Sequence, residues 1–589
     1  MKSIQTSPSR GTVSDMTRSE SLSVDRPWYA SVKDFQSPRG DEHPRLLFRR
    51  DDLPALKKKA ETPEGKAILK RLRLLLDGKD GQTMPHSFFK EGQSGDHKPG
   101  VYTMGHVAGY GLLYQLTGDK QYAELGRQSF EKALEGERNW DSRYSFRTPG
   151  GPLRAGPSLG WYALGYDLCH DGWNESTRET FGRAIAEYRE DSSSPAENLT
   201  SDLDVLARGT RFLGPNFRRH RGTLPSSNHF GLQVGGASLA LLAVTGETWV
   251  DQTRIDKLLA VTEQSMIENV TDGFGDGGFF AEGDGTGSMA SQMAYLSGIQ
   301  AWKNSAGKDF VNVERPNVRM LTLKWIYLTI VRDGKPDFWP IRGCYGGNVW
   351  ARTGLSGAGY FAIGMGGVTR PQQAAMKWYY ERFLAKSDAA AGQPCDTASH
   401  YPHLAVCAFV NWPVGVDATN PADVLPLCYR DSVRSFYAWR NRWQDENDTV
   451  ISVLLEPCEG YGGYRPTQPD RSLYVNTHGK HLQWGVAATG KARHWWASPS
   501  GRTSSLTMSD GTCVAVDFTS ASGADVMLVT TGKADGTTVR IGGTSLTFYF
   551  PTAAESPTVK VEAGSVVVGK QQITIQNGNL VFAASSTGY

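Results

Sequence analysis

The chain lacks any cysteine pattern that would staple it or hold a metal. Its seven cysteines, Cys169, Cys344, Cys395, Cys407, Cys428, Cys458 and Cys513, contain no C-x-x-C pair. That argues against a zinc ribbon or a dense disulfide framework, and the odd number leaves one thiol unpaired in a monomer. Charge of one sign is lacking too. Lys+Arg number 63 and Asp+Glu 61, a formal net charge of +2, so an anionic ligand would need a local concentration of basic groups, and nucleic acid is not expected. No run of about eighteen apolar residues occurs, so no membrane-spanning helix is expected. The polar start MKSIQTSPSRGTVSDMTRSESLSVDRPWYA has no apolar leader core, so a cytoplasmic location is expected unless a leader has been removed. Also missing are a Walker A loop, a G-x-G-x-x-G after a strand, a G-x-S-x-G elbow and an H-E-x-x-H pair. Tryptophan is absent beyond Trp496, although the chain has 16.

What is present changes character along the chain. Residues 1–42 are rich in Ser, Thr, Arg and Asp and read as a flexible extension. From His43, apolar residues recur at helical spacing, with helices predicted at about 63–77, 99–117, 120–135, 156–170, 176–189, 227–245, 253–269, 286–305, 317–331, 370–386 and 401–411. Helices in succession, separated by Gly-rich breaks, predict paired helices that can close into an (α/α) toroid over 43–415. Beyond 425 the period becomes two, in runs such as TVISVLLEP, TCVAVDF and TVKVEAGSVVVG. That pattern predicts an antiparallel β-sandwich over 425–589 and an α+β multidomain fold.

Chemistry concentrates in four segments. In SSNHFGLQVGGASLALLAVTG (226–246), Asn228 and His229 fall in the first turn of a helix. There the free amides and dipole favour a carboxylate, an amide can bond it, and an imidazole can move a proton. The plainer reading is a cap and a packed ring. Upstream, RGTRFLGPNFRRHRG places Arg218 and Arg221 in a basic run, either a solvated face or an anion contact. DGFGDGGFFAEGDGTG carries Asp276, Glu282 and Asp284, which suit hydrolytic carboxylates, calcium ligands or loop caps, and the following helix carries Tyr295. DFWPIRGCYGGNVWARTG offers Trp339, Arg342 and Tyr345 for stacking on sugars and pairing carboxylates. In the β region, His478 and His481 stand at H-x-x-H spacing with His494 beyond, which would suit a structural divalent metal but shows no clear third ligand.

Taken in order, HPRLLFRRDDLPALKKKA, SSNHFGLQ, DGGFFAEG with a helical Tyr, and FYAWRNRWQDENDTVISV resemble the heparinase II/III-like polysaccharide lyases and their alginate-lyase relatives. The resemblance implies a toroid followed by a sandwich, a periplasmic or secreted setting, and cleavage of an acidic polysaccharide by β-elimination with no required cofactor. It gives Asn228 the neutralisation of the C5 carboxylate, His229 a role in proton abstraction and Tyr295 that of acid and base. Substrate binding falls to Arg218, Arg221, Glu282, Trp339, Arg342 and Tyr345. The stretch YVNTHGKHLQWG departs from the family's H-x-H-x-D-like run. Two other readings remain open: a hydrolase using two of Asp276, Glu282 and Asp284, and a carbohydrate-binding protein without turnover.

Overall fold

The computed structural model describes residues 12–15, 27–89, 98–149, 151–191, 200–209, 225, 228–280, 286–332, 335–338, 360–390, 401–446, 448–455, 472–477, 480–485, 492–497 and 499–508, with eight short strands between 513 and 582. Fifteen α-helices occur among the described residues: α1 (Leu53–Ala60), α2 (Pro63–Asp77), α3 (His106–Thr117), α4 (Lys120–Leu134), α5 (Pro152–Cys169), α6 (Glu175–Ala186), α7 (Leu203–Ala207), α8 (Asn228–Val244), α9 (Gln252–Glu268), α10 (Thr286–Ala306), α11 (Asn317–Leu328), α12 (Tyr360–Met365), α13 (Arg370–Tyr379), α14 (Ala385–Ala390) and α15 (Pro402–Asn411).

The helices are of two kinds, and the sequence dictates which is which. α2 opens on Thr62, whose side chain accepts the Gly65 amide, and closes at Gly78 in the left-handed region. It buries Ile68, Leu72, Leu75 and Leu76 on one stripe. α4, α6 and α9 start on Asp119, Asn174 and Asp251 and likewise bury one face. α3, α5 and α15 are instead apolar on nearly every side. In α5 every residue except Leu153 and Arg154 is buried, which is the composition of a helix surrounded by others.

Helix contacts run α3 to α5, α5 to α8, α8 to α10, α10 to α12, α12 to α15, and α15 back to α3, so six helices form a closed ring. Small residues set the spacing. A Cβ on Gly236 of α8 would lie 1.9 Å from the Gly156 carbonyl oxygen of α5, a separation only glycine allows. The register shows direction: Gly156 meets Gln233 and Gly160 meets Gly236, while Gly298 meets Gly235 and the Trp302 indole donates to Ser238. Ser297 and Gln300 meet Cys407 and Asn411, and Val107 and Leu168 meet Gly165 and Gly111. Thus α3, α5, α8, α10 and α15 run parallel, with their amino ends pointing the same way. Lys59 of α1 donates to the carbonyls of Phe409, Val410 and Trp412 at the end of α15, and burial pushes its pKa down to about 8.

Two features differ from the sequence expectation. Residues 27–42 are held against the helices: Ala30–Ser31 pairs with Lys308–Asp309, and the Arg315 guanidinium lies 4.0 Å over the Trp28 ring. Aromatic anchoring outweighs the polar composition there. The predicted helix at 317–331 ends at Leu328, and Thr329–Arg332 turns into a strand paired with Lys335–Phe338. The β-branched run and the Asp333-Gly334 dipeptide between the strands favour a hairpin over another helical turn.

The β region begins with β1 (Cys428–Asp431), β2 (Phe436–Arg440), β3 (Val450–Leu454), β4 (Ser472–Thr477) and β5 (Lys480–Gly485), an antiparallel sheet in sequence order. β6 (Ala492–Ala497), β7 (Thr503–Met508), β8 (Cys513–Asp517), β9 (Leu528–Thr531), β10 (Gly536–Ile541) and β11 (Thr544–Tyr549) form a second sheet that also takes in Thr12–Asp15. Four strands between Val559 and Phe582 make a third. The first two sheets meet where Tyr437 and Trp439 stack on Trp495.

Candidate active site and its supports

Asn228 opens α8, and His229 in the same turn is buried. Four residues on, and therefore on the same helix face, Gln233 is fully buried, and among the described residues neither its amide oxygen nor its amide nitrogen is hydrogen-bonded. His403, in the first turn of α15, is also fully buried. Its ring stacks on Trp161 of α5 at 4.3 Å, and among the described residues neither ring nitrogen nor the Trp161 indole nitrogen has a partner. Burial pushes the His403 pKa well down, and nearby His106 lowers it further, so this imidazole is neutral. Buried polar groups ordinarily find partners. These three side chains lie on three ring helices, α8, α15 and α5. The sequence signal for Gln233 was its spacing from His229; for His403 and Trp161 there was none, because their helices meet only through the ring.

Tyr295 lies in the third turn of α10 and is buried. Its hydroxyl donates to the Met266 carbonyl of α9, and its ring sits 6.5 Å from Phe274. Burial raises its pKa, so it holds its proton. Asp276 is placed at the junction with the β region. Its carboxylate accepts the Ser432 and Val433 amides and the Ser432 hydroxyl. Asp431 reciprocates by accepting the Gly277, Phe279 and Arg434 amides. Asp276 is therefore a loop cap, which takes it away from the hydrolytic pair considered above. Arg218, Arg221, Glu282, Asp284, Trp339, Arg342, Tyr345 and His478 lie outside the described residues, as do the side chains of Asn228 and His481. In chain order, the segments carrying Arg218 and Arg221, Glu282, and Trp339 to Tyr345 run into the amino ends of α8, α10 and α12.

A second polar cluster sits at the opposite end of α8. The Asp167 carboxylate accepts the Arg45 and Leu46 amides at 2.9 and 3.0 Å and the His43 Nδ1–H at 2.7 Å. Arg45 donates to the Thr245 carbonyl, the Gly40 carbonyl and His43 Nε2. His43 Nε2 also lies 3.1 Å from Glu247 Oε1, so that nitrogen faces both Arg45 and Glu247, and burial, with Arg45 beside it, pushes the His43 pKa well down. Burial raises Asp167 to about 6 despite its amide donors. Glu247 Oε1 accepts the Tyr166 hydroxyl at 3.1 Å and lies 3.1 Å from His170 Nε2. Burial works against its charge, but His170 and His43 outweigh that and hold it at about 2. His43, His170 and Glu247 offer three buried ligand atoms within 4.8 Å of one another, a donor set of metal-binding type. The stacked imidazoles are 3.9 Å apart and near parallel, so one ion cannot lie in both ring planes. The Arg45 guanidinium, 3.6 Å from Glu247, already supplies a cation. The arrangement is a buried charge lock joining the His43 segment, α5 and the loop after α8.

No family model and no curated protein matches the sequence. Among solved structures, the chain is similar to heparinase III at 10% identity, covering 88% of this chain and 78% of that one, with a TM-score of 0.35. It is similar to the Streptomyces coelicolor A3 chondroitin AC lyase at 9% identity, covering 90% and 76%, with a TM-score of 0.35. For heparan sulfate lyase HepC from Pedobacter heparinus the values are 10%, 87%, 75% and 0.34. At such scores the fold rests on the helix and strand contacts described above. No described helix is long and apolar enough to cross a membrane.

Proposed function

We propose that the chain is a polysaccharide lyase of (α/α) toroid and β-sandwich architecture that cleaves a 4-linked uronic acid polysaccharide by β-elimination. The observation that supports this most directly is the start of α8. Asn228 and a buried His229 open a ring helix whose parallel neighbours point their amino ends the same way, and Gln233 on the His229 face has no hydrogen-bond partner among the described residues. Parallel helix dipoles and free amides favour an anion at that end.

Elimination has three requirements. The C5 carboxylate must be neutralised so that the α-proton becomes acidic, the proton must be taken, and the leaving O4 must be protonated. Asn228 and the α8 amides meet the first, and His229 the second. The resemblance assigns the third to Tyr295, whose raised pKa suits an acid better than a base; its hydroxyl would have to leave the Met266 carbonyl to serve. Arg218, Arg221, Glu282, Trp339, Arg342 and Tyr345 are proposed as substrate contacts. No cofactor takes part in these steps, and a structural divalent ion at the β-region histidines belongs to the same proposal.

The test is a panel of alginate, glucuronan, hyaluronan, chondroitin, heparan and ulvan, followed by ultraviolet absorbance and by reducing ends together. A lyase raises both, because each cut makes an unsaturated C4–C5 uronate. Reducing ends without the chromophore would sink the proposal in favour of a hydrolase, and binding with neither signal would leave a non-catalytic carbohydrate-binding protein.

A further inference from the structure

α2 has a second face that the core does not use. Lys66, Leu69, Lys70 and Arg73 fall at i, i+3, i+4 and i+7, the spacing of one helical stripe. They line a cavity of about 910 Å³ with Lys57, Lys58, Ala60 and Glu61 of α1 and its end, Lys79 and Asp80 after α2, and Leu113, Leu116 and Thr117 at the carboxyl end of α3. Six lining side chains are basic and two are acidic, in a chain that is otherwise balanced. Lys66 pairs with Glu61 at 3.2 Å, and Arg73 is held by Tyr122 and the Asp80 carbonyl. Among the described residues, Lys57, Lys58, Lys70 and Lys79 have no carboxylate within ion-pair distance, and all four are exposed. The floor is aliphatic, from Leu69, Leu113 and Leu116, and no aromatic residue lines it.

We infer that this cavity is a second binding site, for a linear acidic polysaccharide, on the α1–α2 side at the carboxyl end of α3. The occupant follows from the lining. Four unpaired ammonium groups around an aliphatic floor suit a chain whose sugar rings offer C–H faces and whose carboxylates or sulfates reach outward. A nucleic acid strand would find no ring on which to stack a base. The site stands about 15 Å along α3 from His106, at the end away from the ring helices' starts. A long chain held there and processed at the α8 start would gain avidity that a short oligosaccharide cannot. That consequence rests on the proposed lyase reading; the binding itself does not.

The experiment measures binding of the full chain to long heparin, to heparin tetrasaccharide, to neutral dextran and to phosphatidylglycerol vesicles across a salt series. It compares wild type, a variant carrying Lys57→Ala, Lys58→Ala, Lys70→Ala and Lys79→Ala, and Lys257→Ala. The four-lysine variant, with helical circular dichroism unchanged, is expected to bind long heparin at least about tenfold more weakly and with a shallower salt dependence. Lys257→Ala, at an exposed lysine of α9 that does not line the cavity, is expected to bind long heparin as wild type does. Binding of the four-lysine variant within about twofold of wild type would overturn the site. Vesicle binding that exceeds heparin binding and disappears with the four lysines would overturn the glycan assignment in favour of an acidic membrane surface. If every polysaccharide fails as a lyase substrate while the lysine effect on heparin holds, the active-site proposal fails and this site stands.

Discussion

The two ends of α8 are built on opposite rules. At its start, buried Gln233 has no hydrogen-bond partner for either amide atom among the described residues. Past its end, Glu247 takes Tyr166 and His170, while Asp167 takes two amides and His43. The helix between them is about 25 Å long. Unpartnered buried polar groups cost stability, and paired ones fix one arrangement of the chain. With the function proposed above, chemistry belongs to the start and assembly to the end, so a substitution at one end should spare what the other controls.

The largest effect is expected at the lock. Glu247→Gln removes the buried charge that His170 and Arg45 face, and should cost about 3–5 kcal/mol of unfolding free energy in denaturant titration. The folded fraction should retain its kcat. A loss of turnover without a loss of stability would break the comparison.

The same carboxylate gives a pH signature. Its folded pKa of about 2 lies below the ordinary 4.5, so its contribution is complete above 4.5 and is lost as the pH falls toward 2. Depressed His43 acts in the same direction, since only the unfolded chain takes up its proton below 6.5. Asp167, raised to about 6, works the other way between 6 and 3.8 and is silent below 3.8. Acid destabilisation should therefore steepen below 3.8 and be shallower in Glu247→Gln; parallel curves for the two proteins would remove Glu247 from the lock.

At the other end, Asn228→Ala should raise the barrier by about 2–4 kcal/mol, as loss of an oxyanion donor does, with unfolding little changed. His229→Ala should lower kcat by a comparable factor. A mild effect of both would reduce the pair to a cap and a packed ring.

How much of this was legible in the sequence depended on how local each signal was. The α8 start was readable because Ser, Asn and His precede an apolar run in one stretch of chain. The switch to period two near Leu425 was readable for the same reason. The lock was not, since His43, Asp167 and Glu247 are brought together only by the ring. Asp276 stayed open between chemistry and a loop cap because an acidic Gly loop has the composition of either; the partners that decide it, Ser432 and Val433, are supplied by a β turn more than 150 residues away.

That junction provides an intermediate test. Asp276→Ala leaves two amides and a hydroxyl without their acceptor, and should cost about 1–3 kcal/mol, measured as unfolding free energy. Turnover of the folded enzyme should stay near wild type. A collapse of activity at full stability would return this carboxylate to the hydrolytic reading.

Tyr295→Phe probes the boundary between the two rules. The hydroxyl bonds a main-chain carbonyl of α9, as a structural group would, yet the helix that carries it belongs to the ring. Removing the hydroxyl leaves the Met266 carbonyl short of one donor, and should cost about 1 kcal/mol or less in stability. If the phenol braces α10 against α9, activity follows that small loss. If it turns from Met266 to protonate O4, turnover disappears while substrate is still retained, and the chemistry extends from the start of α8 into the third turn of α10. Steady-state kinetics and thermal unfolding of the one variant decide between these, because only the second outcome separates kcat from stability.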